Sequence, residues 1–427
     1  MRQIDYPRTA GTSTDHDGNE KPRPAAGDWV PLSIWGQLLS HPANIAFAIV
    51  LLSVALLQIP QEWYGRFWGV GGVSFGLAEV ALLCFVYLIF YSAWWLASEA
   101  AHPGLRQSAR AIVFDRASYA WLAVVTAAGA LGVAATVAVL ISRLGLAGII
   151  NAFATNQANE LKFALYDDYS IGLSSLRYCP IIAAPAAALL VLRLGVRTRF
   201  SLFLLAVAVS SLLLNAVISH RLSVAAAIVV YAVLHFRSGG RLAWRTIALG
   251  AGLVIALLTV LNASRNANFY SGLGINNPLM AALSEAISYV ATPAQGALAA
   301  MSGILTGNFH NATGISIELT TNSSLLEGMQ QYGHAGLFIE LALTTVCAFV
   351  YVRAYFSTRL EMVAGAGVIG YAFAEFWRVF LFQYGIFIVL VFFTFAAGFA
   401  VRLAWNSMAA AEARREADPA TARPPAR

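Results

Sequence analysis

Apolar residues run almost unbroken near 44–60, 74–97, 119–141, 176–193, 201–218, 222–236, 244–262, 335–356, 362–381 and 384–404. A stretch of roughly 20 such residues crosses the hydrocarbon core of a bilayer as a helix, so these ten runs predict about ten transmembrane helices. The runs show none of the in–out alternation of barrel strands, which points to an all-α, polytopic membrane helix bundle. The run at 222–236 is short, and the last two are parted only by a break near Gln383. Residues 1–43 are polar and rich in Pro, Gly and Asp, with no early apolar core of the signal-peptide kind. They read as a disordered cytoplasmic tail, residues 406–427 as a second one, and 44–405 as the transmembrane bundle.

The connections are uneven. Most are short, but one covers about 142–175 and a larger one 263–334. Within the larger loop Leu279, Leu283, Ile287 and Val290 recur at helical spacing, so this stretch is expected to lie on the membrane surface or dip into it. Ten spans with the N-terminus inside place 20 of the 27 Lys and Arg in cytoplasmic segments. That is the positive-inside bias, and it puts both termini in the cytoplasm and both long loops outside.

Composition agrees with lipid as the solvent. Apolar residues make up 59% of the chain and charged ones 11%, with a mean hydropathy of +0.68, against roughly 25% charged in soluble domains. The formal charge of +6 follows the topology rather than any nucleic-acid surface. Cys84, Cys179 and Cys347 lie in or beside apolar runs without metal-ligand spacing and read as inert core residues. No Gly-rich phosphate loop, zinc motif or nucleophile elbow occurs. With 25 Arg against 2 Lys and abundant Ala, the chain has the look of a GC-rich bacterium.

The outer basic residues are the exceptions to the charge bias and the strongest candidates for chemistry. Arg221 follows Ser219 and His220 in a tight turn, Arg265 lies just past the seventh span, and Arg378 lies in Glu375-Phe-Trp-Arg at the outer end of the ninth. Three guanidiniums at one depth suit a diphosphate, because the planar fork grips phosphate oxygens in pairs and stays charged. The competing reading is snorkelling, or for Arg378 a structural ion pair with Glu375. Glu318, Glu327 and His310 in the large loop, Glu285 in its apolar stretch, and Glu340 inside the eighth span are the acid–base candidates. Asp167 and Asp168 alone make weak cation ligands.

Three segments resemble the O-antigen polymerase and ligase superfamily, polytopic glycosyltransferases of the periplasmic leaflet. They are Ser219-His220-Arg221-Leu222-Ser223, Arg265 at the head of the long loop, and Thr321-Asn-Ser-Ser-Leu-Leu-Glu-Gly-Met-Gln-Gln-Tyr-Gly333-His-Ala-Gly336, whose Gly-x-x-Gly closes that loop. The resemblance covers roughly 200–405. It implies a fold like the C-superfamily glycosyltransferases, with a large periplasmic loop, in the bacterial inner membrane. Ligases of the superfamily carry a His-Asn pair about ten residues before Gly-x-x-Gly. Here Thr321 and Asn322 stand there, and His310-Asn311 lies further upstream, which favours a repeat-unit polymerase.

The implied substrate and partner is an undecaprenyl-diphosphate-linked oligosaccharide in the lipid bilayer, with a chain-length regulator protein as a further partner. No cofactor and no metal is expected, since the lipid diphosphate is itself the leaving group. The resemblance gives Arg221, Arg265, Arg378 and Glu327 catalytic roles, the first two steadying the developing negative charge. Substrate binding falls to His220, His310, Asn322, Tyr270 and Tyr289; Phe269 and the two tyrosines are placed to stack on sugars, although aromatic residues in such positions are more often simple interface anchors. The alternatives are an O-antigen ligase and a transporter or flippase of lipid-linked glycans, for which Glu340 would be the buried charge.

Overall fold

The computed structural model describes residues 12–14, 20–22, 28–58, 76–104, 107–155, 172–218, 222–243, 277–307 and 323–417, with short pieces between them. The protein is mostly helical. Among the described residues, two short antiparallel ribbons accompany the helices: β1 (Thr12–Thr14) with β2 (Glu20–Pro22), and β3 (Trp29–Pro31) with β4 (Ser108–Arg110). The helices are α1 (Ile34–Leu39), α2 (Pro42–Leu57), α3 (Leu77–Ala101), α4 (Arg116–Ala154, broken at Gly145), α5 (Pro180–Ala188) and α6 (Arg199–Ile218). There follow α7 (Leu222–Arg237), α8 (Pro278–Thr306), α9 (Ser324–Tyr332), α10 (Ala335–Tyr355), α11 (Leu360–Glu375), α12 (Gly385–Val391) and α13 (Ala397–Ala417).

Among the described residues, six helical stretches are long and apolar enough to cross a membrane: Leu77–Ala101, Arg116–Ala152, Leu173–Arg193, Arg199–Ile218, Ala335–Tyr355 and Gly385–Glu412. α2 and α7 are shorter apolar helices. Most of the run at 244–262 lies outside the described residues. Large apolar side chains such as Leu77, Phe85, Leu88 and Leu96 on α3 face outward. Water would penalise such a surface and lipid does not.

α11 is the centre of the bundle, and its sequence explains why. Gly365, Gly367 and Gly370 leave no room for a Cβ: one on Gly367 would stand 2.9 Å from Val230 Cγ1 on α7, and one on Gly370 3.1 Å from the Tyr351 ring on α10. Small residues let backbones approach where lipid tails supply no hydrophobic driving force. α11 consequently packs on α7, α10 and α2 and is buried along nearly its whole length.

One end of the bundle is tied by arginines. Arg237, fully buried, donates to the carbonyls of Tyr355, Arg110 (2.8 Å) and Ser357 (2.9 Å), joining α7 to the α10–α11 turn and to β4. Arg402 on α13 reaches Glu361 Oε1 at 2.7 Å and Asp115 Oδ2 at 2.5 Å. Asp115 also caps α4, accepting from Ser118 N–H at 2.8 Å. Burial pushes the Asp115 carboxyl up, but the hydrogen bonds from Arg402 and Ser118 outweigh it and hold it below its ordinary value.

Four expectations change. The stretch 28–43, read as part of a tail, carries β3, α1 and the start of α2. The chain past 406 continues as helix to Ala417. The loop at 142–175 begins late, because α4 runs on to Ala154 beyond the Gly145 break. Cys84 faces outward on α3, while Cys179 is buried as expected. Composition misleads at the first two places because a short ribbon and an Ala-rich exposed helix need few apolar residues.

Candidate functional site

The end of the bundle opposite Arg237 and Arg402 gathers the polar groups of α8, α9 and the turn after α11. α8 occupies the middle of the large loop at 263–334. Its second half is built into the bundle: residues 291–301 are buried throughout, and the helix packs on α2 and α3, with Ser53 donating to the Val290 carbonyl at 2.6 Å. The stripe Leu279, Leu283, Ile287 and Val290 is helical as predicted, but Leu279 and Leu283 are exposed and the buried face is Ala281, Ala282, Ser288, Ala291 and Thr292. Alanine is so weakly apolar that the packed face does not stand out in the pattern.

After Glu375 the chain turns, with the N–H groups of Arg378 and Val379 both donating to the Glu375 carbonyl at 3.0 Å. The turn folds the Arg378 side chain back onto Glu375, and the Arg378 Nε–H donates to Glu375 Oε2. The guanidinium also lies over the Tyr289 ring of α8, 5.0 Å from its centre. The Tyr371 hydroxyl shares Glu375. Arg378 is only 5% exposed, so it does not snorkel, and it makes the ion pair with Glu375. Tyr289 presents a face to Arg378, which anchors α8 to the end of α11.

Glu327, on the first turn of α9, meets the same segment. Its carboxylate accepts from the Phe380 N–H at 3.1 Å, Gln383 Nε2 at 3.0 Å and the Tyr384 hydroxyl at 2.6 Å. Three donors converge on one half-buried carboxylate and fix its orientation, which suits positioning of a polar ligand or of the Tyr384 hydroxyl. Tyr384, Gln383 and Tyr371 were not singled out from the sequence. The one signal was the break near Gln383.

The Gly-x-x-Gly at 333–336 has a local explanation. Gly333 adopts φ +59° at the end of α9, a left-handed conformation that favours glycine, and Gly336 touches the Gly328 backbone where α9 crosses α10. One turn further along α10, Glu340 is 1% exposed. No side chain among the described residues hydrogen-bonds its carboxylate, which lies against the Gly328 backbone, whose N–H is the donor that faces it.

Arg221, Arg265, His220, His310, Asn322 and Tyr270 lie outside the described residues. No group of three or more His, Cys, Asp or Glu able to hold a metal occurs among the described residues. No family model, curated protein or solved structure matches the chain, so the functional reading rests on its own residues.

Proposed function

We propose that this protein is a membrane glycosyltransferase that polymerises undecaprenyl-diphosphate-linked oligosaccharide repeat units at the periplasmic face of a bacterial inner membrane. The observation that carries the reading is a convergence. Of the nine residues to which the resemblance gives catalytic or binding roles, Arg378, Glu327 and Tyr289 are described, and all three have contacts within or to the segment 375–384, at the end away from the arginine ties. In this reading the ten-span topology holds, both termini are cytoplasmic, and the fold is of the C-superfamily glycosyltransferase kind.

Arg221 and Arg265 grip the diphosphate leaving group with bidentate hydrogen bonds and oppose the charge that grows on it. The Arg378–Glu375 pair, being internally neutralised, sets the frame for Glu327 and Tyr384 and is not part of that grip. The growing glycan leaves its carrier as its C1–O bond to the diphosphate breaks. The new bond forms to a hydroxyl at the non-reducing end of the incoming unit, whose proton goes to a base at the site.

The test is a deletion strain. Lipopolysaccharide capped with a single repeat unit supports a polymerase; complete loss of capping means a ligase. Glu340 favours one further reading, a transporter of lipid-linked glycans. A carboxylate buried in a spanning helix, with no side-chain partner among the described residues, is costly, and such groups mark coupling sites in carriers. Loss of lipid-linked units from the outer leaflet of the deletion strain would select that reading instead.

A further inference from the structure

Between Asp168 and Glu285 the sequence contains no Asp or Glu. Within that stretch Arg193, Arg197 and Arg199 follow one another at the α5–α6 connection, and Arg241 and Arg245 follow α7. All five are exposed. The structure brings the two connections together: Arg193 Nη2 donates to the Gly239 carbonyl at 3.1 Å. Both connections turn through glycines in the left-handed region, Gly195 at φ +63° and Gly239 at φ +76°.

Leu192, Phe200 and Phe203 stand exposed beside the cations. The nearest acidic residue in the adjoining ribbon is Asp28, beside Trp29, where Val30 packs against Gly239. The rim is therefore a concentrated positive field flanked by side chains suited to acyl chains.

We propose that this rim binds the headgroup of an anionic phospholipid, with the phosphate held between the two arginine-bearing connections. Guanidinium forks match phosphate oxygens in pairs, and a cluster of basic residues beside a membrane helix attracts anionic headgroups. Exposed Leu192, Phe200 and Phe203 would lie along the acyl chains below. A bound lipid would clamp the α5–α6 and post-α7 connections, which otherwise meet through the Arg193–Gly239 hydrogen bond. The inference is independent of the polymerase reading, because it concerns the opposite end of the bundle.

The experiment is native mass spectrometry of the purified full-length protein in detergent, titrated with phosphatidylglycerol or with phosphatidylcholine. The wild-type protein should retain phosphatidylglycerol preferentially. The triple variant R197Q/R199Q/R241Q should lose that retention by roughly tenfold or more, with phosphatidylcholine unchanged. The double variant R353Q/R359Q, which removes exposed arginines at the same end but on the α10–α11 connection, should behave as wild type. Equal retention of the two lipids by the wild type, which no misfolded variant can mimic, would overturn the proposal. So would an equal loss in R353Q/R359Q, since that would show dependence on charge count alone.

Discussion

The Glu340 carboxylate lies directly against the backbone of Gly328, so that a Cβ at position 328 would collide with Oε1. The contact fixes α9 on α10 and so fixes where Glu327, one residue earlier, presents its carboxylate to Tyr384. Gly328→Ala should destabilise the protein by about 1–3 kcal/mol, the usual cost of overpacking. In a Glu340→Ala background the same substitution should cost less, with a coupling above about 0.5 kcal/mol. Thermal unfolding in detergent, followed by tryptophan fluorescence, measures both. Strict additivity would mean that the two residues do not share this space.

Arg237 ties three segments through their carbonyls, and each bond has a charged donor. Removing the guanidinium leaves the carbonyls of Tyr355, Arg110 and Ser357 to find other donors in a buried place. Arg237→Ala should cost about 3 kcal/mol, read as a fall in the unfolding midpoint, whereas the exposed Arg353→Ala should change it by less than about 0.5 kcal/mol.

The bond network of Arg402 makes stability depend on pH in a definite direction. Asp115 is held below its ordinary value of 3.8 in the folded state, net of a burial effect that opposes it. The unfolded state then binds the proton more readily. The contribution is present above pH 3.8 and is lost as pH falls through the lowered folded-state value. The unfolding midpoint of the wild-type protein should therefore drop as pH falls below about 4, and Asp115→Asn should flatten that limb while lowering the midpoint at pH 7. A limb unchanged by Asp115→Asn would place the acid sensitivity elsewhere.

Much of the helical architecture is legible from apolar runs because lipid leaves few alternatives: a run such as 74–97 has to become a helix like α3. What the runs hide is the inside of the bundle. The central place of α11 depends on Gly365, Gly367 and Gly370 meeting specific neighbours, and glycine spacing alone does not say which. The face by which α8 packs is hidden in the sequence because Leu279 and Leu283 dominate its hydropathy, while the packed face is built from alanine and small polar residues. At the candidate site, Arg378 and Glu375 are three apart at a helix end, a spacing that permits an ion pair without requiring it. The turn that brings both Phe380 N–H and Tyr384 to Glu327 joins positions over 50 apart in sequence, which no local pattern encodes.

The central claim is that arginines outside the Arg378–Glu375 pair hold a lipid diphosphate while glycan is transferred. Its most direct measurement is the chain-length profile made by the purified protein in liposomes supplied only with undecaprenyl-diphosphate-linked repeat units. The wild-type protein should yield a ladder of extended glycans without any nucleotide sugar. Arg221→Lys and Arg265→Lys should each reduce it by roughly tenfold or more, because an ammonium cannot replace a bidentate fork. Absence of any ladder from the wild-type protein, or full activity in both lysine variants, would contradict the account.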